Sequence, residues 1–419
     1  MGKAPKSSKV QPNPSPEAQR RLVYFEARRD QIVSTIRELV EIESPSDNKA
    51  AVDRFAEAVA HRFAALGGEI RIHHATDSGN HLQVDFAGKS GSNPVLLLGH
   101  YDTIYPLGTL ASMPCQTMGN KLTGPGVFDM KSGIALMLHS IAALRDWNKG
   151  ELPRPVSVLV VSDEEVGSGS SRSLIESLAR KAAAVLVLEP SFGLEGAVKT
   201  ARKGVGGYQI KVTGKAAHAG LDPQKGANAI VELARQTVKV TAFTDLKKGI
   251  TVSVGLVSGG SRTNVVPAEA TAHVDVRIAR LKDAAAIDKK MRSLRPFNRK
   301  CKLQVTGGIS RPPMERTPAV AVLYAKAVAI ARDLGWKLGE AAVGGGSDGN
   351  ITASLGIPTL DGLGAVGDGA HAAHEYILIT ELPRRAALLA GLIEAPVTGI
   401  TPSGDSRYSC SFDSASTLT

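Results

Sequence analysis

Apolar residues along much of this chain fall in short unbroken runs: Pro94-Val95-Leu96-Leu97-Leu98, residues 155–161 and residues 185–188. Runs of this kind, bounded by proline, glycine or charge, predict strands covered on both faces, as in a parallel sheet. Each run stops on residues that carry chemistry. The first ends on His100 with Asp102 two places on, the second on Ser162-Asp163-Glu164-Glu165, the third on Glu189-Pro190. Positions i and i+2 of an extended chain share a face, so His100 and Asp102 can point the same way. Helical patterns fill the intervals, at about residues 16–43, 49–66, 134–147, 318–334 and 382–393. Strands alternating with helices give an α/β class with a mostly parallel sheet. In such sheets sites lie outside the carboxyl ends of the strands, which makes His100, Glu164, Glu165 and Glu189 convergent.

Residues 200–307 change character. Strand patterns near 205–212, 250–257, 270–278 and 302–305 are interleaved with helical patterns at 228–243 and 282–294. That β-α-β-β-α-β order is the split unit of a ferredoxin-like domain. The expected organisation is therefore a tail at 1–16, a catalytic domain in two parts (17–199 and 308–395), an inserted domain at 200–307, and a Ser/Thr-rich tail at 396–419. Both tails lack periodicity and read as disordered.

The formal charge of +10 on 419 residues invites a nucleic-acid hypothesis. The excess is local, however. Residues 1–29 carry seven basic and two acidic side chains, and residues 280–302 carry nine and two. A solvated surface accounts for both segments, with attraction of anionic substrates as a secondary role. Aromatics make up 4% of the chain, too few for base-stacking platforms. The three cysteines, Cys115, Cys301 and Cys410, form no metal or redox spacing. No apolar run approaches the ~20 residues of a membrane span, and the basic start lacks a signal-peptide apolar segment. The expectation is a cytoplasmic protein with neither nucleic-acid nor membrane partners.

Two further stretches add chemistry. Gly124-Pro-Gly-Val-Phe-Asp129-Met-Lys-Ser-Gly leads from a glycine-rich loop into a helix, where Asp129 reads either as a helix cap or as a ligand. Gly369-Ala-His371-Ala-Ala-His374-Glu375-Tyr is a histidine-rich loop. Asp, Glu and His are the ligand types of hydrolytic zinc sites, and a carboxylate that bridges two ions suits a dinuclear one.

With these pieces assembled, the chain resembles the dinuclear-zinc exopeptidase and amidohydrolase family of glutamate carboxypeptidase, aminoacylase and succinyl-diaminopimelate desuccinylase. It is most similar to the glutamate carboxypeptidase branch. The resemblance rests on Gly-His100-Tyr-Asp102-Thr, the Asp129 loop, Asp-Glu164-Glu165-Val-Gly, Leu-Glu189-Pro, Gly-Lys-Ala-Ala-His218-Ala-Gly, Arg262-Thr-Asn264-Val-Val-Pro, Gly-Gly-Gly-Ser347-Asp-Gly-Asn and Gly-Ala-His371. It implies a zinc-peptidase catalytic domain with an inserted lid and dimerisation domain, and two Zn2+ per subunit, replaceable by Co2+ or Mn2+. Asp129 would bridge the ions, with His100 and Glu189 on one and Glu165 and His371 on the other. His374 is the alternative to His371. Asp102 would orient His100, and Glu164 would act as general base on the metal-bound water. His218 would reach into the partner subunit's site to stabilise the oxyanion, with Asn264 contacting the same region of substrate. Arg311 would receive the substrate's terminal carboxylate, or else is a hinge-side surface arginine. The implied activity is cleavage of an amide bond in a small peptide or N-acyl amino acid, releasing a C-terminal amino acid. An aminoacylase, dipeptidase or desuccinylase would share every catalytic residue.

Overall fold

The computed structural model describes residues 14–396; the remainder of both expected tails lies outside the described residues. Pro14–Pro16, assigned to the tail from sequence, belong to the folded body. The Ser15 side chain caps the helix Pro16–Glu26 by accepting from Ala18 N, and its own N–H and hydroxyl donate to Asp333 at 2.9 and 2.6 Å.

Where the sequence suggests one helix over 16–43, the chain forms two, Pro16–Glu26 and Arg29–Val40. Arg28 leaves helical geometry (φ −111°, ψ 9°) and lays its guanidinium over the Tyr24 ring. The turn lets Phe25 in one helix and Ile32, Ile36 and Leu39 in the next reach the same core.

The main sheet has six strands in the order Glu69–His73, His81–Phe86, Val156–Val161, Val95–His100, Ala184–Val187, Thr359–Leu360. Only His81–Phe86 runs against the others. The apolar runs divide residue by residue between its faces, as a period of two requires. Val95, Leu97, Val158, Val160 and Leu186 join the larger core, while Leu96, Leu98, Leu159, Val161, Val185 and Val187 join the smaller one. Each fully buried Val or Leu contributes about 1.5–3 kcal/mol relative to exposure, so a one-residue slip in register would be costly on both sides. The helix Ser132–Trp147 is buried along nearly all its length against the larger core. Counted from Val127 to Trp147 it is long and apolar enough to cross a membrane, but 83% of its apolar window is buried inside the protein.

The inserted unit is a four-stranded antiparallel sheet in the order Thr251–Gly259, Glu269–Ile278, Gly204–Thr213, Lys302–Arg311. Helices Ala229–Thr241 and Ala284–Arg292 share its separate core. The last strand is longer than the short one expected at 302–305. Gly307 (φ +101°) pairs with Tyr208 inside the ladder. A Cβ there would sit 2.1 Å from the Gly207 carbonyl oxygen, so the glycine serves a close backbone approach and not a turn.

A further small sheet bears on function. The short strands Gly367–Asp368 and Tyr376–Leu378 pair with each other, and the latter pairs with Lys121–Thr123. The histidine-rich loop is thus the tip of a hairpin moored beside the entrance to the Asp129 loop.

Candidate metal centre

His100 closes the Val95–His100 strand and is 1% exposed. Its Nδ1 lies 3.0 Å from the main-chain oxygen of Asp102, which can only accept, so Nδ1 carries the proton. The other ring nitrogen, Nε2, faces Asp129 Oδ1 at 3.1 Å and Glu189 Oε1 at 3.5 Å. The Asp102 carboxylate stands 3.4 Å from Nδ1 and is shared with other donors: Ser46 Oγ at 2.8 Å and the N–H groups of Glu164 and Glu165 at 3.2 Å each. Asp102 therefore holds the imidazole chiefly through its main chain, while its side chain ties the end of one strand to the turn after the next.

Asp129 is no helix cap. The helix begins at Ser132, and the Asp129 carboxylate instead lies between two imidazoles. The loop before it needs Gly126 at φ +71°, where a Cβ would also press on Thr103 at 2.7 Å. On the far side, His371 Nε2 stands 3.5 Å from Asp129 Oδ2 and 3.1 Å from Glu165 Oε1. His371 itself adopts φ +65°, an uncommon conformation for a side chain of its size. His374 is exposed, and among the described residues no hydrogen bond or ion pair links it to this cluster.

Asp129 so offers one oxygen to each side: Oδ1 with His100 and Glu189, Oδ2 with His371 and Glu165. Donors bound at 2.0–2.1 Å to a tetrahedral ion lie about 3.3 Å from one another. The observed spacings of 3.1–3.5 Å match that on both sides. The electrostatics agree. Burial opposes a charge on His100, yet the Asp102, Asp129 and Glu189 carboxylates hold its pKa well above the ordinary value. Asp129 and Glu165 hydrogen-bond His371 and hold its pKa up at about 10. These donors form a pocket of surplus negative charge, and they fit divalent cations.

Glu164 stands beside the first of these groups, with a carboxylate oxygen within 4.8 Å of the ligand atoms of His100 and Glu189. Its carboxylate pairs with Arg311, whose guanidinium also donates to the Glu164 main-chain oxygen at 2.8 Å and to Ser168 Oγ at 2.7 Å and lies 3.5 Å from Asp348. Burial raises the Glu164 carboxyl above the usual carboxylate range, and the guanidinium pulls it back. Arg311 is only 7% exposed, which removes the surface-arginine alternative. A register shift between Ile309 and Arg311 changes the alternation at the end of its strand, as bulges do beside active sites.

Several contributors carry no sequence signal of their own. Arg202 is buried, donates to both oxygens of Asp361 at 2.8 Å, and brings its guanidinium to 3.4 Å from Glu189 Oε2. Ser168 hydrogen-bonds Asp348, and Glu375 accepts from the Asp129 loop. Only the partners reveal these roles.

His218 and Asn264 lie together on the inserted domain and are exposed. The Ala219 N–H donates to the Asn264 main-chain oxygen at 2.9 Å, and His218 bridges to Val265. Among the described residues no hydrogen bond or ion pair joins either to the cluster around Asp129.

The comparisons agree with this geometry. Carboxypeptidase G2 of Pseudomonas sp. (strain RS-16) is 33% identical over 388 residues, spanning 88% of this chain and 91% of that protein. The fold is shared with aminopeptidase PepT of Bacillus cereus (TM-score 0.73, 23% identity, 87% of this chain and 98% of that one). It is shared too with Bacillus subtilis YXEP, described as a dinuclear metal binding peptidase (TM-score 0.65, 17% identity, 88% and 98%). Residues 96–395, running from the His100 strand to the end of the last helix, match the model of peptidase family M20/M25/M40. This chain is a hydrolase belonging to that family of metallopeptidases.

Proposed function

We propose that this protein is a carboxypeptidase-like exopeptidase that uses two Zn2+ ions per subunit to cleave the amide bond before a C-terminal amino acid. The observation that carries it is the placing of Asp129 between two imidazoles, one oxygen toward each. His100, Glu189 and Asp129 would hold one ion, and His371, Glu165 and Asp129 the other. Bound there, the cations would polarise the scissile carbonyl and make water acidic enough to deprotonate near neutral pH.

The remaining work falls to the chain. Glu164, beside His100 and Glu189 and paired with Arg311, takes the proton from the attacking water and returns it to the leaving amine. Arg311 would receive the substrate's terminal carboxylate by exchanging its present partners, Glu164 and Ser168, for the two carboxylate oxygens. His218 Nδ1 accepts from the Gly220 and Leu221 N–H groups at 3.1 Å each, so its proton sits on Nε2. That leaves an exposed donor suited to a developing oxyanion, with Asn264 beside it. The test is a hydrolysis screen of N-acyl amino acids and dipeptides with zinc present, alongside elemental analysis. Two metal ions per chain and release of the C-terminal residue are expected. Preference for N-acetyl or N-succinyl substrates would move the assignment to an aminoacylase or desuccinylase, and a chain that retains no metal would sink it.

A homodimer through the inserted domain is part of the same reading. The Thr251–Gly259 strand is a sheet edge with Leu256 and Val257 exposed (67% and 60%), and the Ala229–Thr241 helix exposes Val231 and Val238. An apolar edge of this kind is a template for a second copy. If His218 then acts across the interface, inactive His218→Ala and Glu164→Gln chains should partly restore activity when mixed. Verified mixed dimers that stay dead would remove the cross-subunit role.

A further inference from the structure

Glu375 is fully buried, yet it lies in none of the ligand positions. Its carboxylate accepts three main-chain N–H groups from four consecutive residues. Gly126 N donates to Oε2 at 3.0 Å, while Phe128 N and Asp129 N donate to Oε1 at 2.7 and 2.9 Å. Successive N–H groups turned toward one anion form a concave cradle. Hydrogen bonds to an ionised acceptor are roughly twice as strong as neutral ones, and here they compensate a carboxylate withdrawn from water.

The chain on either side of Glu375 gives the contact its meaning. His371 stands four residues earlier in the same hairpin, and Tyr376–Leu378 pairs with Lys121–Thr123, which leads into the Asp129 loop. One carboxylate thereby clamps the loop that carries Asp129 to the loop that carries His371. We propose that Glu375 is a positioning residue of the metal centre: its two oxygens fix the 126–129 main chain so that Asp129 turns one oxygen to each histidine. This rests on the two-ion reading given above and names the residue that sets its geometry.

Glutamine at this position preserves volume but offers one acceptor oxygen and one NH2. Oriented to keep Phe128 and Asp129, it would point an NH2 at the Gly126 N–H; flipped, it would lose the other two bonds. Aspartate keeps both oxygens but withdraws them by one methylene.

The experiment compares zinc binding by wild type, Glu375→Gln and Glu375→Asp in the full chain, by competition with a chromophoric chelator. The visible absorption of the Co2+-loaded proteins is recorded in parallel. Thermal melts of the metal-free forms establish that each variant is folded. The expected result for Glu375→Gln is zinc binding weakened by about 10–100-fold, the range seen when outer-shell partners are lost, with shifted cobalt bands. Glu375→Asp should fall between. Wild-type zinc affinity and an unchanged cobalt spectrum in Glu375→Gln would overturn the proposal while leaving the two-ion reading intact. Wild type that binds no zinc would overturn that reading instead. Should Glu375→Gln not fold, Glu375→Asp decides by the same titration: weakened binding supports the role, wild-type affinity ends it.

Discussion

Glu164→Gln should retain both metal ions and lose roughly 10²–10⁴-fold in kcat, the usual contribution of a positioned general base. The amide has the shape of the carboxylate and can still accept from Arg311, so the fold and the ligand positions have no reason to move. What it lacks is basicity. Glu164 is mostly buried and its carboxyl is raised toward neutrality, which is where a base that must both take and return a proton works best. It is also the one acidic side chain of the Glu164-Glu165 pair that makes no contact with His371. Turnover and metal content measured on the same preparation decide the matter. A glutamine variant with full metal and wild-type kcat would refute the role, and one that has lost its metal would make Glu164 a ligand.

The second large effect separates two neighbours in sequence. His371→Ala should lower metal content from two ions toward one and weaken the Glu165-side ion by more than about 100-fold, beyond the range for an outer-shell partner. Activity should fall with it. His374→Ala should leave both quantities near wild type. The distinction rests on His371 Nε2 lying 3.1 Å from Glu165 and 3.5 Å from Asp129 while His374 stays exposed outside the cluster. Equilibrium dialysis against a zinc buffer, followed by elemental analysis, reads this directly. The opposite pattern would transfer the ligand to His374.

The architecture was legible where local pattern and tertiary environment agree. The runs Val95–Leu98, Val156–Val161 and Val185–Val187 had to be covered on both faces because no alternation was present to leave one face wet. Their ends then had to meet, since parallel strands bring their carboxyl ends to one rim. What sequence could not supply are contacts made by partners distant along the chain. Glu375 reads as an acidic residue in a loop until the Gly126, Phe128 and Asp129 amides are seen around it. Arg202 reads as one arginine among many until Asp361 and Glu189 are placed beside it. The split of the first helix at Arg28 was hidden for a related reason. Neither proline nor glycine marks the break, which serves the orientation of Phe25 against a core assembled from later strands. The last strand of the inserted unit, expected only at 302–305, runs on to Arg311 through Gly307, whose place is set by the close approach of Gly207.

The inserted domain leaves the catalytic body after Arg202 and returns at Arg311. Those crossing points lie side by side, with Val205 opposite Arg311 and Arg202 bridged to Met314. The two strands are placed like the paired leaves of a hinge, and each carries a guanidinium that also grips a carboxylate of the candidate metal centre. Any rotation of the inserted unit about these strands would therefore pull on Glu189 through Arg202 and on Glu164 through Arg311.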